Sequence, residues 1–159
     1  MELNTEAETL RKVPLFAKLD PSRLKLLAFT SQLISFDDQE ILFEVGDPSD
    51  SAYVIMDGDM EILTNTDQGY SVAGVLGAHD LVGEMGVITN SPRSATVRAH
   101  GQVKALRIDD EMFLSLLAEN PSVALSVMCQ LSEKIFRTHR QYEATEARLK
   151  ALLAERPGH

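Results

Sequence analysis

Residues 82–99, VGEMGVITNSPRSATVRA, contain the feature that most constrains the fold and the function of this chain. Arg93 stands in a stretch whose small and apolar residues are otherwise typical of a buried turn and strand. A buried guanidinium is costly unless an anion meets it, because arginine stays protonated at physiological pH. The stretch therefore predicts that Arg93 faces an anion, supplied either by the protein or by a ligand.

The residues near Arg93 favour an external anion. Four of them are small: Gly83, Gly86, Ser94 and Ala95. Small side chains let a ligand approach backbone N–H groups, and one helical turn at GEMGV would direct further amides at the same anion. Glu84 is suited instead to accept hydrogen bonds from sugar hydroxyls. The pattern predicts a pocket for a phosphate attached to a ribose, and an internal Glu84–Arg93 salt bridge is the alternative.

Composition limits the broad class of the protein. The chain has 159 residues, of which 44% are hydrophobic, and this fits one globular domain with a core of its own. No apolar run approaches the roughly 20 residues that span a bilayer, and the polar N-terminus does not resemble a secretion signal, so we expect a cytoplasmic protein without a membrane partner. A net charge of −9 argues against a nucleic-acid surface.

Cysteine and histidine usage argues against metal chemistry. The single cysteine, Cys129, excludes an intrachain disulfide and Cys-rich metal centres, and its setting in SVMCQL predicts a small core residue on a helix. The four histidines show neither HxH nor HExxH spacing. We therefore predict no metal site, no cofactor and no catalytic residues, since an enzyme on a jelly-roll scaffold would need clustered metal ligands.

Periodicity divides the chain into three segments. Residues 1–31 are predicted to form short helices, with Asp20 as N-cap and Pro21 as the first residue of a helix. From residue 32 to 108, short apolar or β-branched runs alternate with Gly, Pro and Asp turns. Seven or eight strands at this spacing predict an antiparallel sandwich or jelly roll.

Residues 109–155 are predicted to be helical. Asp109 is expected to cap one helix, and Asn120, followed by Pro121, is expected to cap a second that runs to about residue 154. A heptad-like seam follows the second helix: Val127, Leu131, Ile135, Thr138, Tyr142, Thr145, Leu149 and Leu152. Packing on the sheet would explain the seam as far as Tyr142. Beyond it, we expect the helix to pair with a second copy in a homodimer.

The chain resembles the cyclic nucleotide-binding domain family, which includes bacterial cAMP-receptor-type regulators and protein kinase A regulatory subunits. The phosphate-binding cassette of that family has Gly-Glu, then small and apolar residues, then Arg-x-Ala-(Thr/Ser)-Val. Residues 82–97 supply GEMGV and PRSATV, while PLFAKLDPSRLKLL and FEVGDPSDSAYVIMDGDMEIL resemble earlier segments of the family. The resemblance covers residues 13–142. It implies a mainly β fold, an antiparallel β jelly roll with N-terminal helices and a long C-terminal helix.

The resemblance also implies roles for individual residues. Arg93 would bind the cyclic phosphate, and Glu84 the ribose 2'-hydroxyl. Backbone amides would complete the phosphate site near Gly83, Met85, Gly86, Ser94 and Ala95. Two positions depart from the family: Val82 replaces a Phe or Ile and offers less apolar contact to the base, and Gly86 replaces an Ala or Ser.

The same resemblance favours cAMP as the ligand. Ser94 follows the arginine where cGMP-preferring members often have Thr, and Thr138 stands 17 residues after Pro121, where a threonine of bacterial cAMP receptors approaches adenine. No winged helix-turn-helix follows the long helix, so we expect a sensor that signals to an effector protein through rearrangement of that helix. The alternatives are a cGMP or cyclic-dinucleotide receptor, or a protein-interaction module that has lost its ligand.

Overall fold

The computed structural model of the chain describes residues 2–155. These residues form two compact units, the first ending at Ala124 and the second beginning at Leu125. The first unit contains all the strands and all but one of the helices, and it carries the predicted cassette. The second unit consists of most of the final helix.

The N-terminal segment is helical, as predicted. Helix α1 spans Glu2–Arg11, a 3-10 turn spans Pro14–Phe16, and helix α2 spans Pro21–Thr30. The Asp20 side chain accepts a hydrogen bond of 3.0 Å from the backbone N–H of Arg23, which confirms the predicted N-cap. Because this bond favours the charged carboxylate, it lowers the pKa of Asp20 below its ordinary value.

A six-stranded antiparallel sheet follows. Its strands are β1 (Gln32–Phe36), β2 (Ile41–Phe43), β3 (Ser51–Thr66), β4 (Gly69–Leu76), β5 (Leu81–Val82) and β6 (Thr96–Asp109). The main path of the sheet is β1-β6-β3-β4, while β2 pairs with β6 and β5 pairs with β3. Helix α3 (Glu84–Thr89) connects β5 to β6, so the GEMGV stretch does form a helical turn.

The prediction of seven or eight strands was wrong, because two pairs of predicted strands are continuous. Gly58, with φ +94°, and Gly101, with φ +77°, lie within β3 and β6 instead of ending them. A side chain at Gly58 would collide with the carbonyl oxygen of Gln102, so the two strands approach closely here. The register of β3 against β6 shifts on both sides of Asp57, and the glycines thus bend the sheet.

The core of the first unit lies between the layers of the rolled sheet. Ten buried residues form one cluster, and Val82, next to the cassette, is among them. The others are Phe36, Tyr53, Ile55, Met60, Leu76, Val97, Ala99, Val103 and Ala105. The cassette therefore begins on a rigid strand that is buried on the core side.

Two predicted helix caps differ in detail. Helices α4 (Asp110–Glu119) and α5 (Pro121–Ala154) begin after Asp109 and Asn120, as predicted. The Asp109 side chain makes no capping hydrogen bond, since it forms an ion pair with Arg107 instead. The Asn120 side chain accepts a hydrogen bond of 2.9 Å from Arg23 Nη1 and donates one of 2.9 Å to the Leu116 carbonyl oxygen. It thereby joins α2 to the end of α4.

The second unit exposes most of its apolar residues. Cys129 is exposed, so its prediction as a core residue was wrong. It follows the buried Val127 by two residues, about 200° around the helix, and so faces the other way. Seam residues from Ile135 onward are exposed as well: Ile135, Tyr142, Leu149 and Leu152. Within residues 2–155 no single helix is long and apolar enough to cross a membrane, and α4 and α5 meet that test only as a bent pair.

Candidate ligand-binding site

The backbone of Arg93 is fixed by the turn between β2 and β3. Its N–H donates to the Asp47 carbonyl oxygen, and its own carbonyl oxygen accepts from the Gly46 N–H, both at 2.8 Å. Nearby, the Thr96 hydroxyl accepts a hydrogen bond of 3.0 Å from the Val45 N–H. The segment that leads into β6 is therefore held against residues 45–47, which gives the FEVGD stretch a structural role that sequence reasoning did not assign.

The side chain of Arg93 is buried, with 2% of its surface exposed, and is held mainly by neutral groups. Nη1 donates to the Gly83 carbonyl oxygen at 2.8 Å, and Nη2 donates to the Ser51 carbonyl oxygen at 2.7 Å. The guanidinium carbon lies 4.1 Å from the centre of the Phe43 ring, in cation–π contact. Sequence reasoning missed Ser51 and Phe43, because nothing local marks a strand residue as a partner of an arginine some 40 positions away.

The carboxylate of Asp50 lies near the edge of this guanidinium. Asp50 Oδ1 lies 3.6 Å from Arg93 Nη2, and the Asp50 side chain is 67% exposed. Burial lowers the pKa of the Arg93 guanidinium, which the nearby Asp50 opposes, yet an arginine remains charged at neutral pH. The alternative interpretation named Glu84 as the partner of Arg93, whereas the ion pair identified here is a long contact with the exposed Asp50.

The Nε atom of Arg93 is buried and has no hydrogen-bond partner within residues 2–155. A buried donor without an acceptor costs about 1–3 kcal/mol, and more when the group is charged. Such groups are uncommon in native proteins and need an explanation. A ligand oxygen at this position would satisfy the donor and would bring a negative charge close to the guanidinium.

Gly83 makes room for the guanidinium. It precedes α3 with φ +79°, a conformation that side chains rarely adopt. A Cβ atom here would collide with Arg93 Nη1 and lie 3.0 Å from Phe43 Cε2. Glu84, the next residue, is 1% exposed at the start of α3, and Val82 before it is 2% exposed in the core cluster. Gly83 thus lies next to both proposed ligand-binding side chains: its carbonyl oxygen accepts from Arg93, and Glu84 follows it in the chain.

The remaining cassette residues lie on the outer side of this site. Met85 is 47% exposed, Ser94 is exposed, and Gly86 and Ala95 are half-buried. A Cβ atom at Gly86 would collide with Ser49 Oγ and lie 2.8 Å from Ser49 Cβ. The departure of Gly86 from the family pattern therefore has a steric reason, since Ser49 occupies the space that an alanine would need.

Thr138 belongs to the second unit. It is exposed, and its hydroxyl donates a hydrogen bond of 2.9 Å to the Lys134 carbonyl oxygen one turn earlier in α5. Within the first unit, the structure brings together residues 82–86 and 93–95. No cluster of three or more His, Cys, Asp or Glu side chains that could hold a metal ion occurs among the described residues.

Known proteins share the sequence pattern. The profile of the cyclic nucleotide-binding domain family matches residues 33–120. A CRP-like cAMP-activated global transcriptional regulator of Mycobacterium tuberculosis is 24% identical over 133 residues, which are 83% of this chain and 59% of the regulator. An uncharacterized NTE family protein of the same species is 32% identical over 137 residues, 86% of this chain and 23% of that protein. The chain thus spans less than two thirds of each relative.

The fold also matches that of solved structures. The regulatory domain of Toxoplasma gondii PKA, crystallised with cAMP, superimposes with a TM-score of 0.70 at 22% identity. The match covers 82% of this chain and 50% of the other. It confirms the predicted β jelly roll with flanking helices and a long C-terminal helix.

Proposed function

Because the chain belongs to the cyclic nucleotide-binding domain family, we propose that it is a receptor whose preferred ligand is cAMP. The observation that carries this proposal is Arg93, a buried cation with an unpartnered Nε. Its Nη atoms are held by the carbonyl oxygens of Gly83 and Ser51, so the protein itself orients the guanidinium. Preorganisation of this kind reduces the entropic cost of binding.

The cyclic phosphate would bind at the Nε edge of Arg93, where the donor has no hydrogen-bond partner among the described residues. One phosphate oxygen would accept from Nε, and the anion would take over the electrostatic role that the exposed Asp50 now fills at 3.6 Å. A charge-assisted hydrogen bond in a buried site is shorter and stronger than the long contact with Asp50. The ligand therefore has a free-energy advantage over the internal ion pair.

Glu84 and the cassette backbone would bind the rest of the sugar phosphate. Glu84, at the start of α3, would accept a hydrogen bond from the ribose 2'-hydroxyl. Amides near Gly83, Met85, Gly86, Ser94 and Ala95 would surround the phosphate. The exposure of Met85 and Ser94 supports this role, because both residues lie where a ligand has access.

The preference for cAMP rests on sequence and on relatives. Ser94 is the residue type that accompanies cAMP in the family, and the mycobacterial relative is described as cAMP-activated. Thr138 would contact the adenine amino group if α5 comes to cover the base. Val82, which is buried in the core cluster, would support the site from the core side.

We propose that the receptor performs no chemistry of its own and signals through α5. Ligand binding can shift a conformational equilibrium only if the nucleotide prefers one arrangement of the helix. The exposed apolar residues of α5 would then be offered to, or withheld from, an effector protein or a second copy of the chain. The cytoplasmic pool of cAMP is the one that this receptor would sense.

The first experiment is calorimetric titration of the purified chain, freed of carried-over ligand by unfolding and refolding, with cAMP and separately with cGMP. It is repeated on Arg93→Gln, and on Arg98→Gln as a matched control. Arg98 lies on β6, five residues after Arg93, but pairs with Glu61 at 3.0 Å and takes no part in the proposed site. Thermal melts establish that each variant is folded.

We expect saturable binding of cAMP, weaker binding of cGMP, and a Kd close to wild type for R98Q. The loss of even one charge-assisted hydrogen bond, roughly 1.5–3 kcal/mol, predicts that R93Q weakens binding by at least about tenfold. If a folded protein gave no heat of binding with either nucleotide, the proposal would be wrong, and the result would favour a protein-interaction module that has lost its ligand. If R93Q and R98Q lost the same amount of affinity for cAMP, the result would contradict a specific role of Arg93 in binding the ligand.

A further inference from the structure

Asp50 lies between two arginines. Its Oδ1 is 3.6 Å from Arg93 Nη2, and its Oδ2 is 3.5 Å from Arg107 Nη2. The Ser51 hydroxyl donates to Oδ1 at 3.0 Å, and the Asp50 carbonyl oxygen accepts from the Asp110 N–H at 3.0 Å. One carboxylate is therefore shared by the proposed phosphate ligand Arg93 and by a second cation to which the proposed function gives no role.

Arg107 is held firmly in its place. It lies opposite Tyr53 across the β3–β6 ladder and forms an ion pair with Asp109. Burial alone would lower the pKa of Arg107, but hydrogen bonds to Asp109 and Tyr53 raise it above its ordinary value. The side chain is 23% exposed, so it is a fixed cation and not a freely moving surface arginine.

A phosphate at Arg93 creates a problem that Arg107 can solve. The ligand and Asp50 are both anions, and both would interact with the Arg93 guanidinium. When the phosphate takes Arg93, Asp50 loses that partner and lies near a like charge, which is unfavourable. A second guanidinium on the opposite carboxylate oxygen keeps Asp50 neutralised while Arg93 is engaged.

We propose that Arg107 is a positioning residue for the phosphate site, the counterion that retains Asp50 when the ligand binds Arg93. This inference rests on the proposed function. It implies that Arg107 affects nucleotide affinity only through Asp50. Without Arg107, Asp50 has Arg93 as its remaining arginine and competes with the phosphate for it. Without Asp50, no carboxylate shared with Arg107 competes for Arg93, and the loss of Arg107 costs little affinity.

A double-mutant cycle tests this dependence. The Kd for cAMP is measured by calorimetry for wild type, Arg107→Gln, Asp50→Asn and the double variant, with melting temperatures for all four. We expect R107Q to weaken binding about tenfold in the wild-type background, which equals about 1.4 kcal/mol at 25 °C. In the D50N background we expect the same substitution to change the Kd by less than about twofold.

A conservative variant of Arg107 distinguishes the effect of its positive charge from the effect of its hydrogen bonds on the structure. Arg107→Lys keeps the positive charge but cannot reproduce the guanidinium hydrogen bonds to both Asp109 and Tyr53. A counterion role predicts that R107K stays within about threefold of wild type, and it keeps the test open should R107Q fail to fold. R98Q, which removes a guanidinium from the same strand, serves again as control.

The outcomes separate this inference from the proposed function. If wild type binds no nucleotide, both are overturned. If wild type binds and R93Q abolishes binding, but R107Q causes the same loss in both backgrounds, Arg107 acts as a scaffold and only this inference falls. It falls likewise if R107Q leaves the Kd unchanged in the wild-type background, or if R107K is as weak as R107Q.

Discussion

At the residue scale, two glycines of the cassette are required for different reasons. Gly83 adopts φ +79° and leaves space for the Arg93 guanidinium, so it serves the ligand site directly. Gly86 serves packing, because Ser49 fills the position of its missing side chain and donates to the Ser91 carbonyl oxygen at 2.6 Å. Ser91 in turn donates its N–H to the Gly86 carbonyl oxygen at 3.0 Å. The turn after α3 is thus closed around Gly86.

This packing predicts a compensating pair of substitutions. Gly86→Ala should lower the free energy of unfolding by about 1–3 kcal/mol, because the added methyl overlaps Ser49. Ser49→Gly removes the overlapping atoms, so the double variant should recover part of the loss, although the hydrogen bond to Ser91 is gone. Urea denaturation of the four proteins measures the coupling. A G86A protein as stable as its parent would contradict the steric account.

At the element scale, the bend in β6 is tied to the turn after β1. The Asp38 carboxylate accepts a hydrogen bond of 2.7 Å from the N–H of Gly101, which has φ +77°. Gln102 Nε2 also donates to Asp37 Oδ1 at 3.1 Å. Because the backbone bond from Gly101 favours the charged form, it lowers the pKa of Asp38 from its ordinary 3.8. A bend within one strand is therefore stabilised by an ionised side chain from another part of the sheet.

The lowered pKa predicts how stability depends on acid. The folded state binds a proton at Asp38 less readily than the unfolded state, so this contribution is present above about pH 4 and is lost as pH falls through the folded-state value. Asp38→Asn should be less stable than wild type at neutral pH, and the difference should shrink on acidification. Urea denaturation at about pH 6 and pH 3 measures it. A difference that grows in acid would refute this assignment.

At the scale of the whole molecule, the second unit is a helix with an exposed apolar face. Ile135, Tyr142 and Leu149 recur every seven residues, with Leu152 three residues further on, and each is more than half exposed. Such a stripe on an isolated helix is typical of a surface that pairs with another helix. We therefore expect two copies of the chain to associate through α5.

Sedimentation velocity over a range of concentrations tests this association. Ile135→Lys combined with Leu149→Lys should convert a dimer to monomer, because charges would replace the apolar contact. Ala147→Lys, exposed but outside the seam, should leave the dimer intact. The sedimentation series is repeated with saturating cAMP. A change in the dissociation constant of the dimer would support signalling through α5. A wild-type chain that stays monomeric at every concentration would argue against self-association.

Local patterns allowed a large part of the fold to be predicted. The capping of α2 by Asp20 and the extent of α5 depend on neighbours within a few residues, so the sequence alone predicts them. The antiparallel sheet follows from the alternation of short apolar runs and turns. The need of Arg93 for an anion follows from its chemistry, because no guanidinium is buried without one at low cost.

Tertiary structure alone decided which distant residues meet. Asp50 between Arg93 and Arg107, Ser49 beneath Gly86, and the carbonyl of Ser51 on Arg93 are contacts across more than 30 residues of chain. The continuity of β3 through Gly58 depends on its pairing with β6, and the exposure of Cys129 depends on which face of α5 is covered. The sequence by itself determined the helices, the strands and the charge of Arg93 that needed a partner, because these depend on residues close together in the chain. Tertiary packing determined which residues became the partners, because packing joins residues that are far apart in the chain.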